Sequence, residues 1–286
     1  MIGIAFALAS AFGYGISDFV GGIASRRVAA LRVVLVSYPI ALMLLLLLAL
    51  IVGGDISQQA ILWGGLCGVS QAFGIWWFYA ALGTGPIAVV SPLTAILVAG
   101  IPVGVGLALG ERPGAVAGVG VVLALIAVVL VSREATDGDV TPHRFTKKVA
   151  WLTVGSGMAF GLNFVMIAQA PPEAELWPLV FARLAASLLV LVIAAVTGNV
   201  RIPTGTPLRL ALLAAALDAG ANIAMLLALH ASLLSLAGVL MSLYPAATVL
   251  LAIVVLRERV ARWQAVGMVL ALAAVAMIAA GQPLGA

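Results

Sequence analysis

Three ionisable side chains lie deep inside long apolar runs: Asp18, Arg183 and Asp218. In hydrocarbon such a group costs about 2.5–3.5 kcal/mol at the centre of a span, so its presence points to pairing, ion movement or ligand binding. Asp218 sits at the middle of its run, and Asn222 follows one turn later on the same helical face. Asp18 closes a polar stripe of Ser10, Tyr14 and Ser17 at helical spacing. Arg183 reads either as the partner of Asp18 or Asp218 in an ion pair that holds helices together, or as a ligand-binding group. A buried carboxylate that must lose its proton before it can hold a substrate would exchange the two, so proton coupling follows if Asp18 or Asp218 is buried. Two acids, one arginine and nearby rings suit a cationic or zwitterionic organic molecule. Trp76, Trp77 and Tyr79 would wall such a site, or anchor a helix end at the membrane interface. Ser17 lines a cavity or, as serines in spans usually do, bonds back to its own helix.

Other chemistries are missing from the chain. It has no His-Glu-x-x-His, no Gly-x-Ser-x-Gly, no Walker loop and no cluster of His, Cys and acids spaced to hold a metal. Neither an enzyme, a metal site nor a cofactor is expected. The single cysteine, Cys67, excludes an intrachain disulfide and reads as a small packing residue. His230 ends an apolar run, and His143 lies in a charged loop.

The elements that must position these residues follow from composition. Of 286 residues, 64% are hydrophobic and only 8% charged, with a mean hydropathy of +1.26. A soluble domain carries about a quarter charged residues, so a soluble protein, a disordered chain and a nucleic-acid binder are all excluded. Apolar runs that approach the ~20 residues needed to cross a bilayer predict ten spans, at 2–24, 30–52, 59–82, 86–109, 113–132, 149–170, 175–197, 207–230, 232–256 and 261–281. The fold class is therefore all-α, a polytopic membrane protein. Met1 to Ala24 lacks the basic start and short apolar core of a cleavable signal peptide. Turn signals include Gly83-Thr84-Gly85-Pro86, and the stretch 133–148 holds seven of the 24 charged residues, as an aqueous linker would.

That linker separates two similar halves, 1–132 and 149–286. Gly120 to Val128 matches Gly267 to Val275 at seven of nine positions, 147 residues apart, and Leu109-Gly-Glu-Arg112 falls on Leu256-Arg-Glu-Arg259 at the same offset. Ser10, Tyr14 and Gly15 fall on Ser156, Phe160 and Gly161 at an offset of 146. Five spans per copy is odd, so the copies must be inverted, an architecture that secondary transporters use to alternate access around a midplane site. At offsets of 147 and 146 Gln71 falls on Asp218 and Ser17 on Asn163, and at 145, one residue off, Tyr38 falls on Arg183, as a cavity on the pseudo-two-fold axis requires. Glu111 and Glu258 read as caps at the start of the helices that follow them. Pro92, Pro102 and Pro245 are expected to bend the fourth and ninth spans, and Thr153, Gly157 and Gly161 form a small-residue packing ridge.

Twelve lysines and arginines fall in loops after odd-numbered spans and only Arg112 on the other side, which predicts cytoplasmic odd loops, including the linker, and both termini outside. The repeated Glu-Arg motifs, Ser91-Pro92, Tyr244-Pro245 and the opening Tyr14-Gly-Ile-Ser-Asp-Phe-Val-Gly-Gly-Ile-Ala-Ser-Arg-Arg27 together resemble the drug/metabolite transporter superfamily, specifically bacterial ten-helix carriers with two EamA domains. The resemblance spans about 3–281. It implies an inner-membrane secondary carrier for a metabolite, amino acid or drug-like compound, commonly an exporter and often ion-coupled. Better-studied members are usually drawn with both termini in the cytoplasm, opposite to the charge count here. A lipid-carrier flippase of the same fold and a non-transporting membrane subunit are the alternatives. Expected partners are a small molecule, the bilayer and protons, with no nucleic acid, and the oligomeric state is left open.

Overall fold

Backbone polar groups in lipid must be satisfied within their own segment, so long apolar runs fold as α-helices. The computed structural model describes residues 2–25, 27–82, 87–132, 146–256 and 262–280. Among them lie α1 (Ile2–Ser25), α2 (Ala30–Val52), α3 (Gln58–Leu82), α4 (Ile87–Ala108), α5 (Ala115–Ser132), α6 (Lys147–Ala168), α7 (Trp177–Val196), α8 (Thr206–Ala231), α9 (Leu234–Met241), α10 (Tyr244–Leu256) and α11 (Arg262–Ala280). Helices α1, α2, α3, α6, α7 and α8 are long and apolar enough to cross a membrane, and α4, α5 and α11 carry shorter apolar stretches. The Gly83–Pro86 turn, linker positions 133–145, and Glu258 with its flanking arginines lie outside the described residues, as do the side chains of Tyr79, Pro92 and Pro245.

One span departs from expectation. The ninth is not bent but broken, into α9 and α10, at Ser242 and Leu243. Pro245 has no N–H to donate to the Met241 carbonyl four residues back. In its place Ser242 N–H donates to Gly238 O (3.0 Å) and Leu243 N–H to Leu240 O (3.2 Å). By contrast α4 runs unbroken through both Pro92 and Pro102.

Side-chain size is sorted as lipid demands. On α2, Ala41, Leu45 and Ala49 are fully buried while Met43, Leu47, Leu50 and Ile51 face outward. Lipid tails are as apolar as leucine, so helices associate through close packing of small residues. The expected ridge on α6 does this: a Cβ on Gly157 or Gly161 would overlap Leu97 and Ile101 of α4.

Helix pairing runs between the halves and obeys one exchange rule. Helix α1 packs on α8 as α6 packs on α3; α2 packs on α8 as α7 packs on α3; α1 packs on α10 as α6 packs on α4. The remaining major cross-half pairs, α2–α7, α4–α9 and α5–α11, join elements to their own counterparts. Exchanging the halves maps each of these pairs onto another or onto itself.

The two ends of the bundle differ. On the side of the even-numbered loops, Asp55 N–H donates to Glu173 O (2.8 Å). Gly54, at φ +101°, lies so close to Ala174 and Glu175 that no side chain fits. Here too α4 crosses α9, with Pro102 seated on Gly238. On the odd-loop side α1 opens beyond Asp18, where Cβ atoms on Gly21 and Gly22 would meet nothing. A cleft of about 270 Å³ also lies there, lined by Leu31, Trp76, Ala80, Thr197 and Asn199 among others.

Candidate functional site

The three ionisable residues settle into two environments. Arg183 of α7 is 2% exposed and pairs with Asp218 of α8 at 2.5 Å. Its guanidinium also donates to Gln71 Oε1 of α3 (3.2 Å) and lies 4.5 Å from the centroid of the Tyr38 ring on α2. Four helices thus supply one residue each to a cluster near mid-membrane. A buried guanidinium needs both a counter-charge and acceptors for its remaining donors, and Asp218, Gln71 and the ring face provide them. Of the two partners open to Arg183, the fold selects Asp218.

The counterpart helices α2 and α7 meet, and an element meets its own counterpart only where the pseudo-two-fold axis passes. Gln71 and Asp218 are counterparts at offset 147, and Tyr38 and Arg183 stand 145 apart on α2 and α7. Arg183 joins all four.

Matched bonds flank the cluster. Ser17 Oγ on α1 donates to Ala214 O on α8 (3.0 Å), while Asn163 Nδ2 on α6 donates to Cys67 O on α3 (3.0 Å). Ser17 and Asn163 are counterparts at offset 146, and Cys67 and Ala214 at offset 147. One turn away, Tyr14 OH approaches Met225 Sδ (3.5 Å), and its counterpart Phe160 meets Phe78 edge-on at 6.2 Å. Residue types differ between the halves, yet the contacts repeat. The bond of Ser17 corrects the expectation that it returns to its own helix. Ser10 likewise reaches Ala221 O (3.0 Å) and Ser70 reaches Ala159 O (2.7 Å). The small residues let the helices approach closely enough for each hydroxyl to use the second lone pair of a neighbour's carbonyl.

Asp18 stands apart. It lies nine residues, two and a half turns, beyond Ala9, which is exposed on the outer face of α1. Asp18 therefore points inward, yet it too is exposed. An inward side chain with open surface faces space inside the bundle, and this is the end where Gly21 and Gly22 meet nothing. Asp18 forms no ion pair among the described residues, and it lies within electrostatic reach of Asp218 and of the Tyr244 phenol. Tyr244 begins α10, just past the break in the ninth span.

The other candidates fall outside this region or play local roles. Asn222 donates back to the Asp218 carbonyl (2.7 Å). Trp77 lies 5.3 Å from Phe73 and packs on Gly155 of α6, so it joins helices rather than lining the axis. Trp76 faces the odd-side cleft. Sequence reading passed over Cys67 and Met225, whose apolar character hid their service as partners to Asn163 and Tyr14. It also passed over Tyr244 as a neighbour of Asp18, because only the break after α9 brings it there. Glu111 is a correction of another kind. It does not start its own helix, since α5 begins at Ala115. Its carboxylate accepts from Leu234 N (2.6 Å) and Ser235 N (2.9 Å), the first residues of α9 in the other half. Among the described residues no group of His, Cys, Asp and Glu could hold a metal ion.

Comparison with known proteins matches this architecture. The model of a family described as the EamA-like transporter family matches residues 1–133 and again 147–280. A solved structure described only as a crystal structure of a protein superposes with a TM-score of 0.77 at 17% identity, over 96% of this chain and 95% of the other. At that identity it speaks for the fold alone. No curated protein matches the sequence.

Proposed function

The chain belongs to the EamA-like transporter family, a multi-pass membrane protein, and on that premise we propose that it is a secondary carrier exporting a small organic cation or zwitterion in exchange for protons. The halves, 1–132 and 149–286, would act as inverted repeats that alternate access around the axis occupied by Arg183, Asp218, Gln71 and Tyr38. By the excess of Lys and Arg on odd-numbered loops, that side is cytoplasmic and both termini lie outside, in a bacterial inner membrane. The open side would then be the loading side of an exporter.

The observation that carries the reading is Asp18. Arg183 is neutralised by Asp218, so Asp18 is left without an ion-pair partner among the described residues, and it lies in the opening. An amine would find there a negative charge and the rings of Tyr14 and Tyr244. Substrate amine and proton would compete for the same carboxylate, and that competition is the exchange.

The test is proton release or uptake by the purified protein when amino acids and organic cations are added, for wild type and Asp18→Asn. A ligand-dependent proton signal that disappears in the variant is expected. Binding that persists in the variant with its proton signal intact would remove Asp18 from the coupling step. Absence of any binding to wild type would move the assignment to a lipid substrate.

A further inference from the structure

A helix is ordinarily capped by the residue just ahead of it, but Leu233 offers α9 no side-chain cap. The two leading N–H groups are instead taken by Glu111, 123 and 124 residues earlier in the chain and in the other half. Both carboxylate oxygens are used, at the positive end of the helix dipole, which is the arrangement that gives strong, charge-assisted bonds. The place for the carboxylate is made by Gly106 of α4, where any Cβ would overlap Oε2. Arg112 does not compete for it: its guanidinium donates to the Leu107 and Glu111 carbonyls (3.0 and 2.8 Å). All of this lies at the sealed even-loop side, beside the Pro102–Gly238 crossing of α4 and α9.

We propose that Glu111 is the latch of the even-loop side, holding it shut by bridging the halves. The proposal rests on the alternating-access reading above. A bond between two units that move apart must break whenever that side opens, so its strength enters the balance between the two states as well as the stability of the fold.

The experiment follows two engineered cysteines, each alone, in the full-length protein in lipid nanodiscs. Gly22→Cys reports the open odd side. Ala7→Cys reports the even side, where Ala7 is fully buried, as is the native Cys67, which stays in place. Reactivity towards a small maleimide is measured for each. Glu111→Gln keeps the size of the side chain but removes its charge and one acceptor. It is expected to raise Ala7→Cys labelling roughly tenfold and to lower Gly22→Cys labelling. A variant that merely loosens the fold would raise both rates, so opposite movements at the two sites carry the proposal. Unchanged rates in Glu111→Gln, or parallel rises at both sites, would overturn it. An Asp55→Cys/Glu173→Cys cross-link across the even side, where the two backbones meet at 2.8 Å, separates the two readings: transport that survives it would sink alternating access, whatever the latch variant does.

Discussion

At the scale of single residues, the Arg183–Asp218 pair and Asp18 make opposite demands. Removing one member of a buried pair leaves an uncompensated charge, at a cost of about 3–5 kcal/mol, whereas replacing both members by apolar residues is often neutral. Asp218→Asn is therefore expected to lower the thermal midpoint of the purified protein sharply, and Arg183→Met combined with Asp218→Leu to recover most of the loss. If the single and double variants were equally unstable, Arg183 would hold the cluster through Gln71 and Tyr38 rather than through charge. Asp18→Asn, in open space and without an ion pair among the described residues, is expected to leave the stability within about 0.5 kcal/mol of wild type while abolishing ligand-dependent proton movement. The ionisable residues were legible in the sequence because charge in an apolar run is conspicuous. Their partnership was not, because three acids and bases on three helices can pair in more than one way until the helices are placed.

At the scale of elements, the repeated contacts along α1–α8 and α3–α6 place the small residues under different constraints. A Cβ on Gly161 would enter Ile101 of α4, whereas Gly22 faces empty space. Gly161→Leu is expected to abolish recovery of monodisperse protein after solubilisation. Gly22→Ala, inside a helix with room for its methyl group, is expected to raise stability by up to about 1 kcal/mol. Loss of folded protein in Gly22→Ala would mean that the odd side is packed there. Nearly all helix ends could be read from runs of apolar residues closed by Gly, Pro or charge, since length and hydropathy are local properties. The break between α9 and α10 was only half legible. Pro245 marks a lost hydrogen bond, but whether a helix kinks or stops depends on how neighbouring helices hold the two pieces, and α9 is held at its start by Glu111. That contact joins residues more than a hundred positions apart, so no periodicity could announce it. The duplication, in contrast, was readable from offsets alone, and the family match falls on the same two halves.

At the scale of the whole molecule, the state of the carrier and its orientation determine each other's meaning. The even-loop side is sealed by the Asp55–Glu173 bond, the Glu111 latch and the α4–α9 crossing, and the odd-loop side opens at Asp18. If the odd loops are cytoplasmic, the protein is poised to load from inside, as an exporter must be before it moves its cargo. The charge count predicts that orientation because Lys and Arg near the ends of spans resist translocation, and Arg26, Arg27 and Arg32 fall in the sequence between and beside the first two spans, on the odd-loop side. A short epitope placed before Ile2 is thus expected to be reached by a membrane-impermeant reagent on intact cells, while a cysteine at Gly22 is protected until the membrane is permeabilised. The converse pattern would turn the molecule over. The same open side would then face outward, Asp18 would meet its amine from the exterior, and uptake would displace export as the direction in which the Asp18 exchange is read.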